Sequence, residues 1–246
     1  NFREGVSHMD EQMGVVLDAV EEAGIADNTI IICTTDHGVG FPKMKNTLTD
    51  WGTGVFLIIS GPGVSEGAVS DSLVSHLDIF PTLCDTLGFE KSDWLQGESI
   101  VPILKEEVDE VREYLFTEQN FHGKWKPLRG VRNKRYKLIR NFLPGESEKL
   151  FTTDGGPIYQ DMLEKGLAER KVPEYLLYDL YFDPNEVENL ADNNNYSEIF
   201  NELDEVLTKW MKETADPILT DSILDTEPDD GYQFEEVFID GISGRK

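Results

Sequence analysis

The chain is poor in sulfur and in basic residues. It has two cysteines, Cys33 and Cys84, and four histidines in 246 residues. Two thiols in apolar surroundings, without C-x-x-C spacing, exclude a disulfide framework and a cysteine-built zinc site. Both are expected to be buried. Lysine and arginine total 22 against 48 acids, a formal charge of −26. That balance excludes nucleic acid, whose phosphates need a basic face. It also argues against an anionic membrane surface. No apolar run approaches 18 residues, so no membrane-spanning helix is expected. An acidic excess of this size points to a high-salt setting, where repulsion between carboxylates is screened. Circular dichroism indifferent to salt up to molar concentration would contradict that expectation.

What is present is an α/β pattern. Met9, Met13, Val16, Leu17 and Val20 recur at helical spacing up to Gly24. Strands are expected over Thr29 to Thr34 and Val55 to Ser60. Both read as continuous apolar runs, which implies a sheet covered on both faces. Asp78 then precedes a helix with Pro81 in its first turn and Gly88 at its end. From about residue 112 the texture changes. Short strands are expected at Tyr114 to Thr117, Tyr136 to Arg140 and Leu176 to Phe182. The basic stretch Lys124 to Lys137 is read as joining the first two. An amphipathic helix is expected over Ser197 to Glu213. The expected layout is an α/β part over residues 1–111, a small α+β subdomain over 112–215 and an acidic tail over 216–246.

The most informative segment is Ile30-Ile-Ile-Cys-Thr-Thr-Asp-His-Gly38. A β-branched run stops at Asp36 and His37, a carboxylate and an imidazole. In open α/β sheets ligands gather outside the carboxyl ends of strands. Adjacent residues within a strand face opposite ways, but where a strand ends the chain can bend and bring both to one ion. Alone, such a pair is equally well a surface or capping pair. Its context adds Lys45, then Thr47, Asp50-Trp51-Gly52, and a strand closed by Gly61-Pro62-Gly63.

Together these features resemble the C-terminal half of a sulfatase, in the alkaline phosphatase superfamily. Further segments resemble family motifs in the same order. They are Met9-Asp10 with Gly14, and His76-Leu-Asp-Ile-Phe-Pro-Thr82, then Gly97-Glu98-Ser99 with Pro102 and Leu104. Arg129-Gly-Val-Arg132 follows with Arg135-Tyr-Lys-Leu-Ile139. The last is Leu177-Tyr-Asp-Leu180 with Asp183-Pro184, Glu186 and Glu188-Asn-Leu-Ala191. Gly40-Phe41-Pro42 and Asn141-Phe142 are most similar to the heparan N-sulfatase (N-sulfoglucosamine sulfohydrolase) type.

The resemblance implies an alkaline-phosphatase-like mixed-sheet α/β/α domain with a small C-terminal subdomain. It implies hydrolysis of a sulfate ester or sulfamate, with a sulfated small molecule or carbohydrate as substrate. Asp36 and His37 would be metal ligands, with Ca2+ favoured and Mg2+, Mn2+ or Zn2+ as alternatives. Many family members have asparagine where His37 stands, and imidazole suits transition metals better than calcium. Lys45 would contact a sulfate oxygen, as a compact cation suited to developing negative charge. His122, Arg129 and Arg132 are candidates for meeting an anionic sugar, against ordinary loop and strand-edge positions. His8 and His76 read as structural, and Asp192 to Asn195 as turn chemistry.

One family feature is missing. Sulfatases make formylglycine from Cys or Ser in a Cys/Ser-x-Pro/Ala-x-Arg motif. Cys33, Cys84 and Ser60 all lack those followers. The nucleophile and two further metal aspartates are therefore expected upstream of Asn1, and the isolated chain is expected to be inactive. Two alternatives stay open: a phosphoryl-transfer hydrolase of the same superfamily, and a non-catalytic truncated domain.

Overall fold

The computed structural model describes residues 2–122, 125–148 and 155–220. The expected tail beyond Thr220, and Lys124 of the basic stretch, lie outside the described residues. The chain divides into two units. The first is Asn1–His37 with Gly54–Leu115, and the second is Gly38–Thr53 with Phe116–Lys246.

The first unit opens with α1 (Phe2–Glu22), followed by β1 (Ile31–Thr34). Strand β2 (Leu57–Ser60) pairs antiparallel with β1, with Ile31 opposite Ser60 and Thr34 opposite Leu57. Helix α3 (Ile79–Leu87) is closed by Gly88 at φ 72°, a left-handed turn that glycine enters without steric cost. The four-residue α4 (Val101–Leu104) follows. Asp78, fully buried, links these pieces. Its carboxylate accepts from the backbone N–H of Ser75 (2.7 Å) and Glu98 (2.8 Å), and is gripped by Arg112.

The expectation of a sheet covered on both faces is not met within this unit. Ile58 is 60% exposed, and α1 has no buried residue. A continuous apolar run records how much a strand can bury, not what lies against it. Cys84 is buried, but Cys33 only partly, with its thiol 3.8 Å from the Met13 sulfur.

The second unit is built on a four-stranded sheet in the order β3 (Leu115–Phe121), β4 (Trp125–Arg132), β5 (Tyr136–Asn141), β6 (Tyr175–Asp179). The last two pairings are antiparallel, with Gly130 opposite Ile139 and Leu138 opposite Leu177. The basic stretch read as a connection is thus largely strand β4, the most continuously buried of the sheet. The cations of β4 are held inside the fold: Lys126 donates to the Asn46 carbonyl, Arg129 pairs with Asp216 and Arg132 with Asp50.

Alternation sorts the sheet into two faces. Val131, Leu138 and Leu177 share one face. Helix α6 (Ser197–Glu213) packs against that sheet through Leu203, Leu207 and Met211, all fully buried. Phe200 meets Tyr175 edge-on at 5.0 Å. Leu128, Ile139 and Tyr178 share the opposite face, and there they enclose Leu48. Leu48 comes from the segment Gly38–Thr53, which carries the short α2 (Asp50–Thr53). Helix α5 (Pro157–Glu164) lies between β5 and β6 in the chain. The stretch after α6, expected to start the irregular tail, begins inside the core: Asp216 and Ile218 are buried.

Candidate functional site

Strand β1 ends at Thr34, and Thr35 to Gly38 bend away from it. The bend removes the strict alternation that would send Asp36 and His37 to opposite faces. The Asp36 carboxylate accepts from the His37 backbone N–H at 3.0 Å, and its other oxygen lies 3.8 Å from His37 Nε2. Two hard or borderline donors at that separation are close enough to serve one cation. The Asp36 side chain is 88% exposed and the His37 side chain 37%. Among the described residues, no group of three or more His, Cys, Asp or Glu could hold a metal. The pair fits a divalent cation in donor type, but two donors do not by themselves complete a ligand set. His76, read as structural, has its Nε2 3.0 Å from Thr34 Oγ1, so it ties the turn before α3 to the end of β1. The exposed His8 side chain lies 3.9 Å from Glu11.

Lys45 sits in the second unit, on the loop Gly38–Thr53. That loop is closed on itself. Gly38 N–H donates to Gly52 C=O and Val39 N–H to Trp51 C=O, both at 2.9 Å, and Lys45 N–H donates to Val39 C=O at 2.9 Å. The neck needs glycine at both ends. A Cβ on Gly38 would lie 2.1 Å from the Trp51 carbonyl oxygen, and one on Gly52 2.3 Å from that of Thr47. Lys45 itself is half-buried, and among the described residues no carboxylate pairs with its ammonium.

The two arginines expected to meet substrate are placed differently. Arg129 is 1% exposed, and its fork is filled by Asp216, with Nε–Oδ2 at 2.5 Å and Nη2–Oδ1 at 2.9 Å. Arg132 gives its Nη1 to both oxygens of Asp50, at 2.7 and 2.9 Å. Arg129 is thus closed to a sugar anion, whereas Arg132 is paired with Asp50 and keeps 21% side-chain exposure. Sequence alone could not tell a recognition fork from a structural one, because the pairing carboxylates lie over 80 residues away in the chain. His122 is exposed just past the end of β3.

Sequence reasoning missed the charge cluster that includes Arg132. Lys137 Nζ reaches Asp50 Oδ1 at 2.5 Å and Glu186 Oε1 at 2.8 Å. Glu186 also accepts from the backbone N–H of Asp50. Burial pushes the Asp50 carboxyl up, but Lys137 and Arg132 outweigh it and hold it below the usual carboxylate range. Burial raises the Glu186 carboxyl, and Lys137 only partly opposes it. The one signal available beforehand was the spacing of Lys137 and Glu186 within motifs already noted for resemblance.

Comparison with known proteins decides the family. Residues 45–164 match the model for the N-sulphoglucosamine sulphohydrolase C-terminal region. An ulvan-active sulfatase of Formosa agariphila is 32% identical, over 86% of this chain and 37% of its own length. Human N-sulphoglucosamine sulphohydrolase is 30% identical, over 86% of this chain and 47% of its own length.

The chain belongs to the sulfatase family.

Its match lies on the C-terminal side of that family's pattern, as the ordered motifs implied, and it spans less than half the length of either curated relative. Among solved structures, a 2-O GAG sulfatase superposes with a TM-score of 0.68 at 26% identity, over 85% of this chain and 42% of the other. The mixed α/β architecture is therefore that of alkaline-phosphatase-like sulfatases.

Proposed function

We propose that this chain contributes two metal ligands and a sulfate-contacting lysine to a sulfatase acting on a sulfated sugar. The observation that carries the reading is the meeting of Asp36 and His37 at 3.8 Å just past the end of β1. The names of the two curated relatives, one acting on ulvan and one on N-sulphoglucosamine, support a saccharide substrate. Asp36 and His37 would hold a divalent cation: the carboxylate suits Ca2+ or Mg2+, and the imidazole suits Mn2+ or Zn2+. When bound, that ion supplies neutralisation of charge on sulfate oxygens. The Lys45 ammonium, without a carboxylate partner among the described residues, is free to face an oxyanion and steady charge as the bond to sulfur breaks. His122 is kept as a substrate-side candidate. The nucleophile would come from a Cys/Ser-x-Pro/Ala-x-Arg segment that this sequence does not contain.

Manganese titration of the isolated chain tests the metal half. Paramagnetic broadening should fall first on the His37 ring resonances, and Asp36→Ala should weaken it about tenfold or more. Broadening unchanged by Asp36→Ala would sink the metal assignment and favour a non-catalytic module. In the same preparation no hydrolysis of a sulfate ester is expected; robust turnover would overturn the dependence on an added nucleophile.

A further inference from the structure

The loop bearing Lys45 is held to the second unit's sheet by two buried ammonium groups. Lys126, 1% exposed, donates from Nζ to the carbonyl of Asn46 at 2.8 Å, at the residue that follows Lys45. Asn46 has φ 69°, an uncommon left-handed setting outside glycine, so its carbonyl direction is specific to this conformation. Lys137, 3% exposed, joins Asp50 to Glu186. Asp50 adjoins Trp51 and Gly52, whose carbonyls receive the N–H groups of Val39 and Gly38. Between the two anchors Leu48 is buried among Leu128, Ile139 and Tyr178. The Trp51 indole N–H adds a bond to the Asn185 carbonyl at 3.2 Å.

Lys126, Arg132 and Lys137 lie on one face of the sheet by alternation, the face that also carries Leu128 and Ile139. The three cations thus line the seat of the loop. Asp50 and Glu186 supply two negative charges against those of Arg132 and Lys137, so this part of the seat is charge-balanced. An oxyanion site needs its cation held in place before the anion arrives, since ordering a long flexible side chain on binding costs affinity. Here the backbone on both sides of Lys45 is fixed, and the mobile part is reduced to its side chain.

We propose that Lys126 and Lys137 are positioning residues for Lys45, acting through the Asn46 carbonyl and the Asp50 carboxylate. The inference rests on the reading of Lys45 as a sulfate-contacting cation.

Two measurements on the intact chain test it together: amide hydrogen exchange, and titration with sodium sulfate followed at the Lys45 side-chain resonances. Lys126→Met strands a buried carbonyl while leaving the hydrocarbon stem. It should speed exchange at Gly38, Val39 and Lys45 about tenfold or more, and leave Leu138 and Ile139 in β5 unchanged. The sulfate response at Lys45 should weaken in parallel. Lys137→Met should do the same, and Asp50→Asn serves if either lysine variant fails to fold. Uniform acceleration across loop and sheet would mean a general stability role and overturns the proposal, as does unchanged loop exchange. A wild-type chain whose sulfate response bypasses Lys45 overturns the reading of Lys45, and the positioning role with it. A response at Lys45 with unaltered loop exchange overturns the positioning role alone.

Discussion

Asp78→Ala is expected to destabilise the first unit by about 3–5 kcal/mol, the cost of stranding one partner of a buried ion pair. Asp78 is fully buried, and both of its oxygens are engaged by Arg112, Nη1 at 2.6 Å and Nη2 at 2.5 Å. The same oxygens accept from Ser75 and Glu98. Substitution therefore leaves a guanidinium with 11% side-chain exposure and two backbone N–H groups without their acceptor. It also breaks the capping box at the start of the turn before α3. The chain packs closely here: a Cβ on Gly97 would lie 2.0 Å from the Leu77 carbonyl oxygen. Urea unfolding followed by exchange at α3 amides measures the loss; a change below about 1 kcal/mol would show that other contacts hold this corner.

Asp216→Ala should have a comparable effect on the second unit, about 3–5 kcal/mol, because it leaves Arg129 charged inside the sheet–helix core. Arg129→Met in the same chain should recover much of the loss, since removing both charges avoids the stranded one. The pair also gives this unit a defined acid response. Burial raises the Asp216 carboxyl, but hydrogen bonds from Arg129 and the Ile218 N–H, with the Arg129 charge, bring it below the ordinary value of 3.8. A carboxylate whose folded value is lowered stabilises the fold above its unfolded value. That contribution is lost as pH falls through the folded value. Stability should therefore hold above about pH 4 and decline below it, and Asp216→Asn should flatten that part of the profile. Asp179, lowered by its hydrogen bonds with Arg135, acts in the same direction. Thermal unfolding across pH 2 to 5 reads the slope; an unchanged slope in Asp216→Asn would remove Asp216 from the account.

These two carboxylates show where sequence reading succeeds and where it stops. Asp78 was legible, because it stands at the head of a helix with proline in the first turn and glycine at the end. Asp216 was not: it lies in an acidic run, and nothing local separates a core ion pair from a solvated tail. The same blindness hid β4, where Lys126, Arg129 and Arg132 read as part of a basic connection between strands. The Asn46 carbonyl, Asp216 and Asp50 that receive them are 80 or more residues distant in the chain. Local pattern reports what a segment can bury, and charge burial depends on partners that only the fold brings close.

The sequence by itself determined the family, through an ordered set of motifs, and the helices Ile79–Leu87 and Ser197–Glu213, through apolar spacing and a closing glycine. It also nominated Asp36, His37 and Lys45 as the candidate metal ligands and sulfate contact. Only the tertiary structure decided that Arg129 and Arg132 pair with Asp216 and Asp50, and that the Lys45 loop belongs with the β3–β6 sheet rather than with the strands flanking it in the chain. The reason is physical. Motif and periodicity are properties of neighbours along the chain, whereas a guanidinium's role is set by which carboxylate reaches it first in space.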